Sequence, residues 1–180
     1  MIKINMGCGW RNFGKDWIHI DGGNYEHIDY HDVIDLSQFE TDSVDLIHAS
    51  HLVEYFDRIE VVKLLSEWKR VLKSGGVLRI AVPNFDVLSK LYMHDNVPLK
   101  DILGPLYGRM KMQDDLIFHK TTYDFKDLEL LLKDAGFRNI KLFDWKTTEN
   151  AEFDDHSQAY YPHMDKENGT LISLNIECVK

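Results

Sequence analysis

Gly7 and Gly9 flank Cys8 near the start of the chain, and with no Cβ at either position the backbone could turn tightly there and come close to a ligand. Asp21 follows 12 positions after Gly9, and Asp35-Leu36 comes later. Carboxylates at successive strand ends would accept hydrogen bonds from such a ligand. His51 and His119 are the candidates for acid-base work, because an imidazole titrates near neutral pH and can take a proton in a transition state. Glu54, three residues after His51, could orient it. His27, Asp29 and His31 alternate, as metal ligands on one side of an extended segment would, and Asp114-Asp115 resembles half of a magnesium site. Both read as polar surface loops, and no metal is expected. Tyr160, Tyr161, His163 and Asp165 could stack on and hydrogen-bond a sugar.

These residues need a frame, and the patterning supplies one. Short β-type runs at Ile2 to Met6, Trp17 to Asp21, Val33 to Asp35 and Val44 to Ser50 each stop near a Gly, an Asp or a polar turn. Val61, Leu64, Leu65, Trp68 and Leu72 then recur at helical spacing; Asp57 and Glu60 form a capping box before them, and Gly75 is the expected stop. Val77 to Val82 reads as a strand buried on both faces. A helix is expected over Phe85 to Met93, an irregular, partly helical insertion over 94–122, and a second amphipathic helix from the Asp124 cap to Gly136. Ile140 to Trp145 and Leu171 to Val179 are the last strands, separated by the polar segment 146–170, which is long enough to be a functional loop. The whole is a single α/β domain over 1–180, with its ligand site at the carboxyl ends of the early strands. The insertion and the late loop are the candidate covers of an acceptor site.

Composition narrows the partners. Among 180 residues, 30 acidic against 21 basic side chains leave a formal net charge of -9, which disfavours nucleic acid and anionic lipid as partners. Two cysteines cannot build a disulfide framework or a multi-cysteine metal site, which points to reducing cytoplasm. No run approaches the roughly 18 apolar residues of a membrane span. Position 12 is Asn, so the Gly-x-Gly-x-x-Gly of a nicotinamide site is missing, and no Gly-Lys-Ser/Thr phosphate loop exists.

Asn5-Met6-Gly7-Cys8-Gly9, Asp21, Asp35-Leu36, Arg70-Val71-Leu72-Lys73-Ser74-Gly75-Gly76 and Leu131 to Phe137 follow one another as the motifs of class I S-adenosylmethionine-dependent methyltransferases do. The chain resembles that family, and in particular the small single-domain methyltransferase-like proteins of bacterial surface-polysaccharide gene clusters, through Ala49 to Leu52 and Tyr160 to Asp165. The resemblance implies a Rossmann-like sheet of order 3-2-1-4-5-7-6 with the last strand antiparallel. S-adenosyl-L-methionine would be held by Asn5, Gly7, Cys8, Gly9, Asp21, Asp35, Leu36 and Ser50. Asp21 would take the ribose hydroxyls and Asp35 the adenine amino group, with Leu36 beside the ring. His51, after the fourth strand, would be the base, His119 its reserve, and the rate would rise through one ionisation at about pH 6 to 7. No Asp/Asn-Pro-Pro-Tyr/Phe motif of amino-group methylation follows that strand, which tilts the acceptor toward the oxygen of a small or carbohydrate molecule. A non-catalytic domain serving as an interaction partner in glycan biosynthesis is the alternative.

Two departures from the family pattern bear on this. Asn5 stands where many members have an acid, so it can hydrogen-bond the methionyl ammonium without neutralising it. The short Gly9 to Asp21 interval leaves no room for the first crossover helix, and the sheet face it would cover falls to the 94–122 insertion or to a second copy in a homodimer.

Overall fold

The computed structural model describes residues 1–180. Strands β1 (Lys3–Met6), β2 (Ile18–Ile20) and β3 (Val44–Ser50) are followed by helix α1 (Glu60–Val71), β4 (Leu72–Pro83), α2 (Phe85–His94) and α3 (Leu99–Tyr107). Then come a hairpin, β5 (Met110–Met112) and β6 (Asp115–Ile117), helix α4 (Phe125–Asp134), β7 (Arg138–Leu142), a small arm of β8 (Tyr160–Tyr161) and β9 (Thr170–Leu171), and β10 (Ser173–Val179). One sheet runs β2-β1-β3-β4-β10-β7. Its first four strands are parallel, whereas β10 is antiparallel to both β4 and β7. This is the Rossmann-like methyltransferase order expected, without its outermost strand.

That missing strand corrects the reading of Val33 to Asp35. Only a parallel bridge between Ile20 and Tyr30 stands at this edge. The Asp32 carboxylate accepts the N–H groups of Ile34 and Asp35 at 2.8 and 2.9 Å, and Asp35 accepts that of Ser37 at 2.9 Å. Side chains that satisfy the local donors in this way compete with a strand ladder.

Helix α1 begins as its sequence dictates. Asp57 Oδ1 accepts the Glu60 N–H at 2.8 Å while Glu60 Oε2 accepts the Asp57 N–H at 2.9 Å, a reciprocal capping box. Val61, Leu64, Leu65, Trp68 and Val71 are buried on one face. Each such side chain stabilises the fold by about 1.5–3 kcal/mol. Gly75 is not the stop, which corrects the expected end: the helix closes at Val71, and Gly75 lies within β4 at φ +77°. The terminal carbonyls of Arg70 and Val71 are instead taken by the N–H groups of Asp42 and Ser43. Asp124 caps α4 by accepting the Asp127 N–H, and Gly136 follows the helix end at φ +84°.

Residues facing α1 and α4, among them Ile4, Met6, Ile47, Ala49, Leu78 and Ile80, form the main core. No helix joins β1 to β2, as the spacing required. The opposite sheet face is covered by Phe13 and Trp17 from that connection and by Phe153 from the 146–170 segment, packed around Leu46. Phe13 meets Trp17 edge-on at 5.3 Å and stacks on Phe153 at 5.0 Å. This corrects the expectation that the 94–122 insertion covers the face. The insertion packs elsewhere, through Val97 and Ile102 against Leu88 and Leu91 of α2.

Candidate active site

The turn after β1 is built from backbone conformations that side chains oppose. Gly7 lies at φ +66°, its N–H donates to Ile20 O at 2.7 Å, and a Cβ there would stand 2.7 Å from the Leu52 side chain. Gly9, at φ +56°, donates its N–H to Asp21 Oδ2 at 2.8 Å, and Asp21 Oδ1 accepts the Gly23 N–H at 2.6 Å. Asp21 thus joins the ends of β1 and β2. Each of its oxygens carries a second lone pair, so acceptor capacity for a pair of hydroxyls remains. Asn5 is buried on β1 and donates to Arg11 O at 3.3 Å. Cys8 is buried, and burial followed by the charge of Asp21 pushes its thiol up to about 12, so it packs rather than reacts.

Asp35 and Leu36 are not brought to this turn. Leu36 is wholly buried in the main core, and its backbone is held by Glu67 and Arg70 in the last half of α1. Asp35 is exposed beside that same pair, where its charge acts on Arg70 and Glu67. Strand ends need a ladder to be aligned, and the Asx turn at Asp32 removes it. The bridge at Tyr30 places His31 and Asp32 at the Asp21 end instead, with His31 Nδ1 3.3 Å from Asp21 O. The Asp35-Leu36 pair that carries the family motif lies away from this edge, and Asp32, which no motif marks, lies on it. The hairpin of the insertion reaches the same edge: Gln113 donates to Gly22 O at 3.0 Å.

A second cluster lies past the end of β3. Ser50 ends the strand with its hydroxyl buried and unpartnered. His51, at φ +54°, anchors its N–H on Ala81 O, and Leu52 packs toward Gly7. Glu54 is fully buried, pointing inward, and neither carboxylate oxygen has a hydrogen-bond partner. Its Oε1 lies 3.5 Å from His51 Nδ1 and 3.7 Å from His119 Nε2. His119 comes from the insertion; its ring meets Tyr55 edge-on at 4.7 Å, and its Nδ1 lies 3.0 Å from Pro105 O. Burial pushes Glu54 up to about 8 and draws His119 down. Burial, then His156 and His119, holds His51 well below the ordinary imidazole value. An ionisation of His51 itself at pH 6 to 7 is therefore corrected.

The 146–170 segment contributes the third element. His48 Nε2 and Asp155 Oδ2 meet at 2.7 Å with both side chains buried. Burial alone would raise the Asp155 carboxyl, but the hydrogen bond and charge of His48, with Ser157, hold it well below the carboxylate range. Asp155, Ser157 and Gln158 are buried while His156 between them is solvent-accessible, with its ring 5.0 Å from that of His51. The protein packed around it, followed by the charge of Arg11, pushes His156 down to about 4. No motif marked His156; its place follows from the Asp155 clamp. Tyr161 bonds Asp101, Tyr160 accepts from Trp145, and Asp165 caps its own turn, so these residues serve the arm rather than the histidine cluster.

His27, Asp29 and His31 diverge toward Cys8, the His19 N–H and Asp21 O, and no group of three His, Cys, Asp or Glu side chains is arranged to hold a metal ion. No helix is long and apolar enough to cross a membrane.

Residues 14–80 match the family model described as a methyltransferase domain. No curated protein matches the sequence. Among solved structures, an S-adenosylmethionine-dependent methyltransferase from Archaeoglobus fulgidus aligns over 99% of this chain and 85% of its own, at 17% identity and a TM-score of 0.59. One from Methanosarcina mazei aligns over 99% and 91%, at 18% identity and a TM-score of 0.57. The 1,6-didemethyltoxoflavin-N1-methyltransferase of Burkholderia thailandensis, solved with S-adenosylhomocysteine, aligns over 99% and 70%, at 12% identity and a TM-score of 0.55. Over 14–80 the chain is similar to the methyltransferase-domain model, and as a whole it has the fold of class I S-adenosylmethionine-dependent methyltransferases.

Proposed function

We propose that the protein transfers the methyl group of S-adenosylmethionine to a hydroxyl of a small or carbohydrate acceptor. The observation that carries this reading is the hydrogen bond from Gly9 to Asp21, which sets a ligand-approachable turn and a carboxylate side by side, next to the histidines past β3. Gly9 faces open space and leaves room for backbone approach, Gly7 lets the turn close on Leu52, Asp21 keeps lone pairs for the ribose hydroxyls, and the exposed Asp32 at the same edge suits the adenine amino group. Asn5 and Cys8 line the turn, and Ser50 ends the strand beside it. The cofactor supplies an activated methyl on a sulfonium; the chain supplies alignment and a place for the acceptor's proton.

A hydroxyl is too weak an acid to react as its anion at neutral pH, so a base is needed. His51 is that base in this reading, and His119 stands across Glu54 as its support. The absence of a Pro-Pro-aromatic motif after β3, where Ala49-Ser50-His51 stands, favours oxygen as the acceptor atom. A carbohydrate is the acceptor class that the family resemblance suggests.

Calorimetry with S-adenosylhomocysteine tests the cofactor assignment. Binding is expected, and Asp21→Ala weakens it by about 1–3 kcal/mol, the cost of leaving ribose hydroxyls unpaired. No heat at millimolar ligand overturns the reading.

A further inference from the structure

We propose that Glu54 is a positioning residue that carries one proton between His51 and His119, and that loss of this proton converts His51 from a hydrogen-bond donor into the base. The proton's place follows from the partners of the two rings. Asn175 Nδ2 donates to Ser157 O at 2.8 Å, which turns its Oδ1 toward Ser173, and the Ser173 hydroxyl donates to that oxygen at 2.8 Å. Ser173 Oγ is left as an acceptor for His51 Nε2, 3.3 Å away, so Nε2 carries hydrogen and Nδ1 presents its lone pair to Glu54. On the other side Pro105 O can only accept, so His119 Nδ1 carries hydrogen and Nε2 presents its lone pair to the same Glu54 oxygen.

Two lone pairs thus converge on one buried carboxyl. An ionised Glu54 would face them with a third, and with no other donor to its oxygens it would be a buried, unpaired charge. One proton on Glu54 removes the buried charge and gives the carboxyl a hydrogen to turn toward His51 Nδ1, the nearer nitrogen at 3.5 Å. The fully buried setting agrees, since it favours the neutral acid up to about pH 8. The groups around the pair are limited: Tyr55 and Tyr123 lie near Glu54, and His156, His119, Asp155 and Arg11 act on His51.

In this state His51 offers an N–H and cannot take a proton at Nε2. When the pair loses one proton, the Glu54 proton passes to His51 Nδ1 and the Nε2 proton leaves to solvent. The carboxylate then holds the Nδ1–H, the Ser173 hydroxyl turns from Asn175 Oδ1 toward Nε2 until an acceptor displaces it, and Nε2 presents the lone pair. The step that follows rests on the methyl-transfer reading. The acceptor oxygen forms its bond to the methyl carbon as the carbon–sulfur bond breaks, and the sulfur keeps the electron pair. The acceptor's proton passes to His51 Nε2, giving an imidazolium held by Glu54.

Imidazole nitrogen NMR on the free protein decides the matter. In the wild type, His51 is expected as the Nε2–H tautomer at about pH 6.5 and as the Nδ1–H tautomer at about pH 9, with a midpoint near 8. Glu54→Gln, whose amide donates like the protonated acid, should hold His51 as Nε2–H across the range. A wild-type His51 already in the Nδ1–H form at about pH 6.5, or a switch that persists in Glu54→Gln, overturns the proposal. If that variant does not fold, infrared spectroscopy of the wild type replaces it. A protonated-carboxyl band present at about pH 6.5 and gone at about pH 9 supports the proposal, and absence of the band at the lower pH overturns it. Neither measurement needs cofactor, so a failure of S-adenosylhomocysteine binding is a separate result.

Discussion

Asp155 closes on His48 across 107 residues of sequence, carboxylate to imidazole at 2.7 Å, with both side chains out of contact with water. The pair fixes the 146–170 segment to the middle of β3 and holds the turn that presents His156 to His51. The segment is therefore part of the second core layer as well as a border of the site.

Asp155→Ala leaves His48 buried without its partner and is expected to cost about 3–5 kcal/mol in chemical denaturation. The folded-state carboxyl lies below its unfolded value, so the contribution is present above about pH 4 and is lost as the pH falls further. The gap between wild type and variant should narrow in acid. A constant gap contradicts a carboxylate held by the buried His48 contact.

Gly7→Ala and Gly9→Ala should differ. Both positions have positive φ, which costs a non-glycine residue about 1–2 kcal/mol. At Gly7 the new Cβ also meets Leu52, adding about 1–3 kcal/mol, while at Gly9 it enters open space. Thermal unfolding should rank Gly7→Ala below Gly9→Ala; equal losses would rule out the Leu52 contact as the cause.

Glu54→Gln should grow more stable relative to the wild type as the pH rises. The folded Glu54 binds its proton up to about 8 and the unfolded one only to about 4.5, so the wild type loses stability through that window. The relative slope is about 1.4 kcal/mol per pH unit, read from denaturation midpoints at several pH values. A pH-independent difference means that Glu54 is ionised in the folded protein.

His51→Asn retains a residue type tolerant of positive φ and removes the base. S-adenosylhomocysteine affinity should change little, while methyl transfer falls by about 10²–10⁴. Full activity in His51→Asn would remove His51 from the chemistry and leave positioning alone to drive transfer.

What the sequence determined by itself is local. The Asp57 and Glu60 capping box, the buried face of α1, the span of β3 and the glycine turn with Asp21 each depend on residues a few positions apart, or on strands whose alternation leaves one register. Tertiary structure decided the rest, for reasons of competition and distance. Asp35 read as a strand end, yet the Asp32 side chain captured the backbone donors that a ladder needs, so the edge shrank to a bridge at Tyr30. Glu54 could have faced solvent from its short turn. It became the buried centre of the site only because His119 of the insertion and the Tyr55 ring close over it. His156 carried no signal at all, since its position depends on a His48 to Asp155 contact that no local pattern encodes. Spacing along the chain sets which side chains share a face; which faces meet, and therefore which titratable groups stand together, is fixed only when the chain is packed.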